Sequence, residues 1–141
     1  MVHNSRADPL SDFENAMHTP EPAATEAVVY YNSACPVCDA GIRGQRERMR
    51  GCAIEWRDVH AEPELAAQLG IDIEALRERL HVRDASGRML VGDQAFAALW
   101  AATPGQRALA RLARSMHWLA GPLYKVLARL LYRWNRWRGN W

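Results

Sequence analysis

The chain has 141 residues, 49% of them apolar and 24% charged. That suits one globular domain with a core of ordinary size, and its three cysteines are too few for the disulfide framework of a small secreted protein. The formal net charge of +2 hides a division: 16 acids against 10 arginines up to Asp93, a balance of −6, then seven Arg and one Lys with no acid from Arg107 onward, a balance of +8.

Residues 1–26 carry Asp8, Asp12, Glu14, Glu21 and Glu26 with three prolines. They read as a disordered or loosely attached leader, with Phe13 and Met17 as its only means of tacking onto a domain. Nothing in them has the form of a signal peptide. No run of ~18 uncharged apolar residues follows, so no membrane span is expected, and a cytoplasmic location is the default expectation.

Ala27–Tyr31 is a continuous apolar run, expected to be a central strand covered on both faces. It stops at Asn32-Ser33-Ala34, and Cys35-Pro36-Val37-Cys38 opens a helix expected over Pro36–Arg50. Pro36 suits the first helical position, where its missing N–H costs nothing, and Gly51 suits the stop. Ile54–Val59 alternates as a second strand, parallel to the first because a helix crosses between them.

Two short helices are expected over Glu62–Leu69 and Ile73–Leu80, parted by Gly70, with Asp72 capping the second. His81–Arg83 and Met89–Val91 flank Asp84-Ala85-Ser86-Gly87 as a β-hairpin. Gly92 makes a tight strand-to-helix turn, and a helix follows from Asp93 to Ala102 with Phe96, Leu99 and Trp100 inward. Pro104-Gly105 breaks it, and residues 106–141 form one or two further helices. The order is that of an α/β layered domain with the cysteine pair at the C-terminal end of a parallel strand, where open α/β sheets place their chemistry.

Cys35 falls at the helix N-cap, where unpaired amides and the positive dipole end favour a thiolate. Cys38 follows one turn later on the same face, close enough to close a disulfide ring. The redox reading makes Cys35 the exposed nucleophile and Cys38 the resolving thiol. Two other readings stand beside it: a zinc site built from Cys35, Cys38, Cys52 and His60, and a degenerate pair of packed, inert thiols. The redox reading is preferred because the pair sits between a strand and a helix and the second half of the metal set is unlike a knuckle or ribbon. Cys52 alone reads as a small apolar residue at a helix–strand junction.

Val28-Val29-Tyr30-Tyr31-Asn32-Ser33-Ala34-Cys35-Pro36-Val37-Cys38 resembles the DCC family (the DUF393 domain) of thiol-disulfide oxidoreductases, whose signature is Asp-x-x-Cys-x-x-Cys. The resemblance continues through Leu80-His81-Val82-Arg83-Asp84-Ala85-Ser86-Gly87-Arg88 and Gly92-Asp93-Gln94-Ala95-Phe96 into the basic C-terminus, covering about residues 27 to 138. It implies a thioredoxin-like three-layer fold with a mixed four-stranded sheet, extended here by extra C-terminal helices. It also implies protein-disulfide reductase chemistry without metal or organic cofactor, a disulfide-bearing protein or small thiol as substrate, and an external electron donor. The domain would span residues 27–104 and the basic, Trp-rich extension residues 105–141, packed on the same domain.

Two site residues come with the resemblance. Asn32 stands where the family has its Asp. It can cap the loop or hydrogen-bond, but it cannot take a proton; if the family's Asp serves as a base, exchange here is expected to be slower or to recruit water, Asp39 or His81. His81 begins the third strand, where thioredoxin-like proteins usually place a cis-proline against the disulfide. It either lies beside the thiols as a proton carrier or is a strand-initiating residue.

In the C-terminal segment, Leu119, Leu123, Val126, Leu127, Leu130, Leu131 and Trp134 form a helical apolar stripe with Arg129, Arg133, Arg136 and Arg138 outside it. As far as Tyr132 the stripe is expected to pack onto the α/β layer. The interleaved Trp and Arg of residues 134–141 suit an anionic membrane surface or an acidic partner. Nucleic acid ranks last because no base-reading motif is present. The competing function class is therefore a binding or adaptor module working through this segment.

Overall fold

The computed structural model describes residues 27–141; the leader of residues 1–26, with Phe13 and Met17, lies outside the described residues. The chain runs β1 (Ala27–Tyr31), α1 (Pro36–Arg48), β2 (Ile54–Asp58), α2 (Leu65–Leu69), α3 (Ile73–Glu78), β3 (His81–Asp84), β4 (Met89–Val91), α4 (Asp93–Ala102), α5 (Arg107–Ser115) and α6 (His117–Arg138).

The strands form a mixed sheet in the order β2-β1-β3-β4. β1 pairs parallel with β2, Val29 opposite Trp56, and antiparallel with β3, Val29 opposite Val82. β3 and β4 close the hairpin, its turn held by the Asp84 carboxylate, which accepts from the Ser86 and Arg88 amides at 3.0 Å. This is the thioredoxin-like fold that the sequence implied.

β1 is buried on both faces because its side chains alternate between two cores. Val29 joins Ile42, Met49, Val82 and Leu99 under α1 and α4. Val28 and Tyr30 join Val59, Leu65 and Leu76 under α2 and α3. Each such side chain contributes about 1.5–3 kcal/mol on burial, so both helical layers hold the one central strand.

Helix boundaries follow local chemistry. α1 ends two residues before the expected Arg50, its C-cap Met49 donating back to Gln45 and Arg46 carbonyls. α2 starts at Leu65 rather than Glu62 and ends on Gly70 at φ +65°. The Asp72 carboxylate caps α3 through the Glu74 amide. A buried polar knot ties α1 to the α4–α5 junction: Gln45 Nε2 donates to Thr103 Oγ1 and Gln106 Oε1, both at 2.7 Å, and Thr103 Oγ1 donates to the Leu99 carbonyl.

The C-terminal stripe departs from expectation. α6 turns its other face inward, with Gly121, Ala128 and Asn135 buried, while Leu119, Leu123, Val126, Leu127 and Leu130 stay exposed. Of the expected stripe, Leu131 and Trp134 are partly buried beside this inward face. The reason is room. Tyr124 lies 3.1 Å from where a Cβ on Gly92 would stand, and its ring packs tilted against Phe96, centroids 5.7 Å apart. Gly92, at φ +68°, both permits the β4–α4 turn and leaves space for that ring.

Candidate active site

The loop between β1 and α1 is drawn into a tight turn by side chains on both sides. Asn32, buried, accepts from the Ala34 amide through Oδ1 at 3.1 Å, and its carbonyl accepts from the Cys35 amide at 3.3 Å. The Asp58 carboxylate, at the end of neighbouring β2, accepts from the Ser33 and His60 amides. These bonds set Cys35 at the N-cap of α1 with extended backbone, φ −85° and ψ 111°, and Pro36 in the first turn.

The Cys35 sulfur accepts the Cys38 amide at 3.3 Å, the bond a capping side chain makes to an orphan donor of the first turn. Its acidity follows. The thiol is lowered to about 6, first by the hydrogen bond from the Cys38 thiol, then by the Cys38 and Val37 amides and the Asn135 side chain, against burial, which opposes ionisation. Cys38 moves the opposite way, pushed up by that shared hydrogen bond, by burial and by the charge of Cys35. One sulfur carries the charge and the other the proton.

Exposure runs against the expectation. Cys35 is only 1% exposed, whereas Cys38 is partly exposed and lines an apolar groove of about 920 Å³ between α1 and α6. The buried Asn135 side chain of α6 is among the neighbours of Cys35 and helps lower its pKa by hydrogen bonding. The end of the chain holds Asn135 there. Gly139 turns at φ +72°, Asn140 Nδ2 donates to Asn135 Oδ1 at 2.6 Å, and Asn135 Nδ2 donates to the Leu131 carbonyl at 2.9 Å.

Tyr124 is the second α6 residue at the centre. Its hydroxyl accepts from the Leu80 amide at 3.1 Å, and burial pushes its pKa up. Neither Tyr124 nor Asn135 belongs to a motif that the sequence displays. Their signal was the small and polar stripe Gly121-Tyr124-Ala128-Asn135, which the leucines outweighed.

His81 stands differently. It is buried, and its Nδ1 is engaged with the Arg79 carbonyl at 2.9 Å. Burial lowers its pKa, which keeps the ring neutral. It pairs across β1 with Tyr30, and directly opposed side chains share a face, so it points to the α2–α3 side, away from α1. Asp39, in the first turn of α1, is the carboxylate whose charge bears on Cys38, and it is ion-paired with Arg43.

Cys52 packs beside the α1–α4 core and His60 is exposed. Among the described residues no three His, Cys, Asp or Glu side chains are grouped to hold a metal ion, so the four-ligand zinc arrangement is not assembled. No helix of the described residues is long and apolar enough to cross a membrane.

Compared with known proteins, residues 29–137 match the family model described as DCC1-like thiol-disulfide oxidoreductase. Searches of curated proteins and of solved structures return no match.

Proposed function

The chain belongs to the DCC1-like thiol-disulfide oxidoreductase family, and from that premise we propose that it reduces disulfides through Cys35 and Cys38. The observation that carries this reading is the Cys35 sulfur at the helix N-cap, accepting the Cys38 amide at 3.3 Å, with its pKa lowered to about 6. A thiol of that acidity is mostly thiolate at neutral pH, and the thiolate is the attacking species.

In the proposed cycle the Cys35 thiolate attacks one sulfur of a substrate disulfide. The Cys35–substrate S–S bond forms, the substrate S–S bond breaks, and one substrate thiolate leaves. Cys35 then no longer carries charge, so the two contributions from Cys35 that hold the Cys38 proton, its hydrogen bond and its charge, vanish together. Cys38 loses its proton, to water or to nearby Asp39, and attacks Cys35. That releases the second substrate thiolate and leaves a Cys35–Cys38 disulfide. The substrate has gained two electrons and the protein has lost two; an external dithiol donor returns them.

Asn32 serves this cycle by shaping the loop rather than by moving protons, and His81 by filling the sheet. Attack by a sulfur that is 1% exposed requires its cover to move aside. A reducing compartment such as the cytoplasm suits this direction of exchange, with a disulfide-bearing protein or small disulfide as substrate. Equilibration in glutathione buffers, read by mass of the alkylated chain, tests the proposal. A reversible loss of two alkylatable thiols at Cys35 and Cys38 supports it, and thiols that stay reduced at every ratio refute it.

A further inference from the structure

The exposed face of α6 has no use in the thiol chemistry. Leu119, Leu123, Val126, Leu127 and Leu130 are each about half exposed, and they recur on one side of a single helix. Trp118 and Trp137 stand 75% and 84% exposed toward its two ends, roughly 28 Å apart along an α-helix. Beside this stripe run Lys125, Arg129, Arg133 and Arg136, and α5 adds Arg107, Arg111 and Arg114 with exposed Leu109 and Leu112. No acid occurs after Asp93. Among the described residues, Arg136 alone of these cations forms an ion pair, with Glu74 at 3.5 Å.

We propose that this face docks in the plane of an anionic phospholipid bilayer, the aliphatic stripe entering the acyl boundary while the cations meet lipid phosphates. A long apolar stripe edged by Lys and Arg, with tryptophans near its ends, is what an interfacial helix requires. The helix is not apolar enough to cross, so it lies on the surface. Charge decides among occupants. A second copy would bring an identical cationic, acid-free face, and the two would repel. Nucleic acid would satisfy the cations but leave the leucines in water. Leu123, Leu127 and Leu130 also line the groove that reaches Cys38, so docking places the thiol centre beside the lipid boundary.

The test uses the full chain, kept reduced, with vesicles of phosphatidylcholine alone or mixed with phosphatidylglycerol, read by co-sedimentation and tryptophan emission. The full chain is expected to bind the anionic vesicles with a blue shift, to leave them as salt rises, and to ignore the neutral ones. Arg129→Gln and Arg133→Gln should each weaken binding about fivefold. Leu119→Glu and Val126→Glu should weaken it at least about tenfold. Both side chains are exposed, and unchanged thermal unfolding verifies that these variants fold. Cys35→Ser should bind as the parent does, because docking needs no thiol and stands or falls apart from the redox reading. Any one of three results overturns the proposal: no binding to anionic vesicles at low salt, binding indifferent to both glutamate variants, or a dimer in light scattering that Val126→Glu dissociates.

Discussion

Replacing Asn135 with Ala tests the coupling between α6 and the reactive sulfur. Asn135 is buried, donates to the Leu131 carbonyl, receives Asn140, and helps hold the Cys35 thiol at about 6. A hydrogen bond to a charged group is worth about 1.5–3 kcal/mol, and each pKa unit corresponds to about 1.4 kcal/mol. Cys35 keeps its larger partner, the Cys38 thiol, and the amides of Cys38 and Val37. The low end therefore applies, a rise of about one unit, to about 7. The truncation has a second effect of opposite sense, because it opens a hole above a sulfur that is 1% exposed.

In a Cys52→Ser background, the pH dependence of thiolate absorbance gives the midpoint, and iodoacetamide alkylation gives access. The variant should show a raised midpoint and, well above both midpoints, faster alkylation of Cys35 than the parent. An unmoved midpoint together with an unchanged limiting rate would refute the placement of Asn135 over Cys35.

Three further outcomes follow from the same geometry. Thr103→Val removes the hydroxyl that joins Gln45 to the Leu99 carbonyl and should cost about 1–3 kcal/mol in urea unfolding. Gly92→Ala adds a Cβ at φ +68° and 3.1 Å from the Tyr124 ring. It should destabilise by about 1–3 kcal/mol, and by less in a Tyr124→Leu background, where the clash is absent and the φ strain remains. In the reduced protein the folded pKa of Cys35, about 6, lies below its unfolded value of about 8.5. The unfolded chain thus binds more protons between those values, and stability rises with pH across that window. It is lost as pH falls through about 6. Urea midpoints measured under reductant should show this rise, and Cys35→Ser should flatten it; His81, also lowered, acts only below about 6.5.

The sheet and its crossings were legible because each strand and helix announces itself locally. β1 is a continuous apolar run, Gly70 and Asp72 punctuate α2 and α3, and Pro36 behind Cys35 marks a helix start. The hairpin follows from Asp84-Ala85-Ser86-Gly87. What failed was long-range. Hydrophobic periodicity shows that α6 has two unlike faces and favours burial of the more apolar one. The choice was made by the space over Gly92 and Cys35, which admits Tyr124 and Asn135. Neither is adjacent in sequence to what it touches. The burial of Cys35 was hidden for the same reason, since one of its neighbours, Asn135, lies a hundred residues downstream.

The most direct measurement of the central claim is capture by the Cys38→Ser variant. With the resolving thiol gone, a disulfide-bearing peptide should remain joined to the protein through Cys35, found by peptide mass mapping under non-reducing conditions and released by reductant. Cys35→Ser should form no such adduct. An adduct on Cys38 in that second variant, with none on Cys35 in the first, would contradict the assignment of the attacking sulfur.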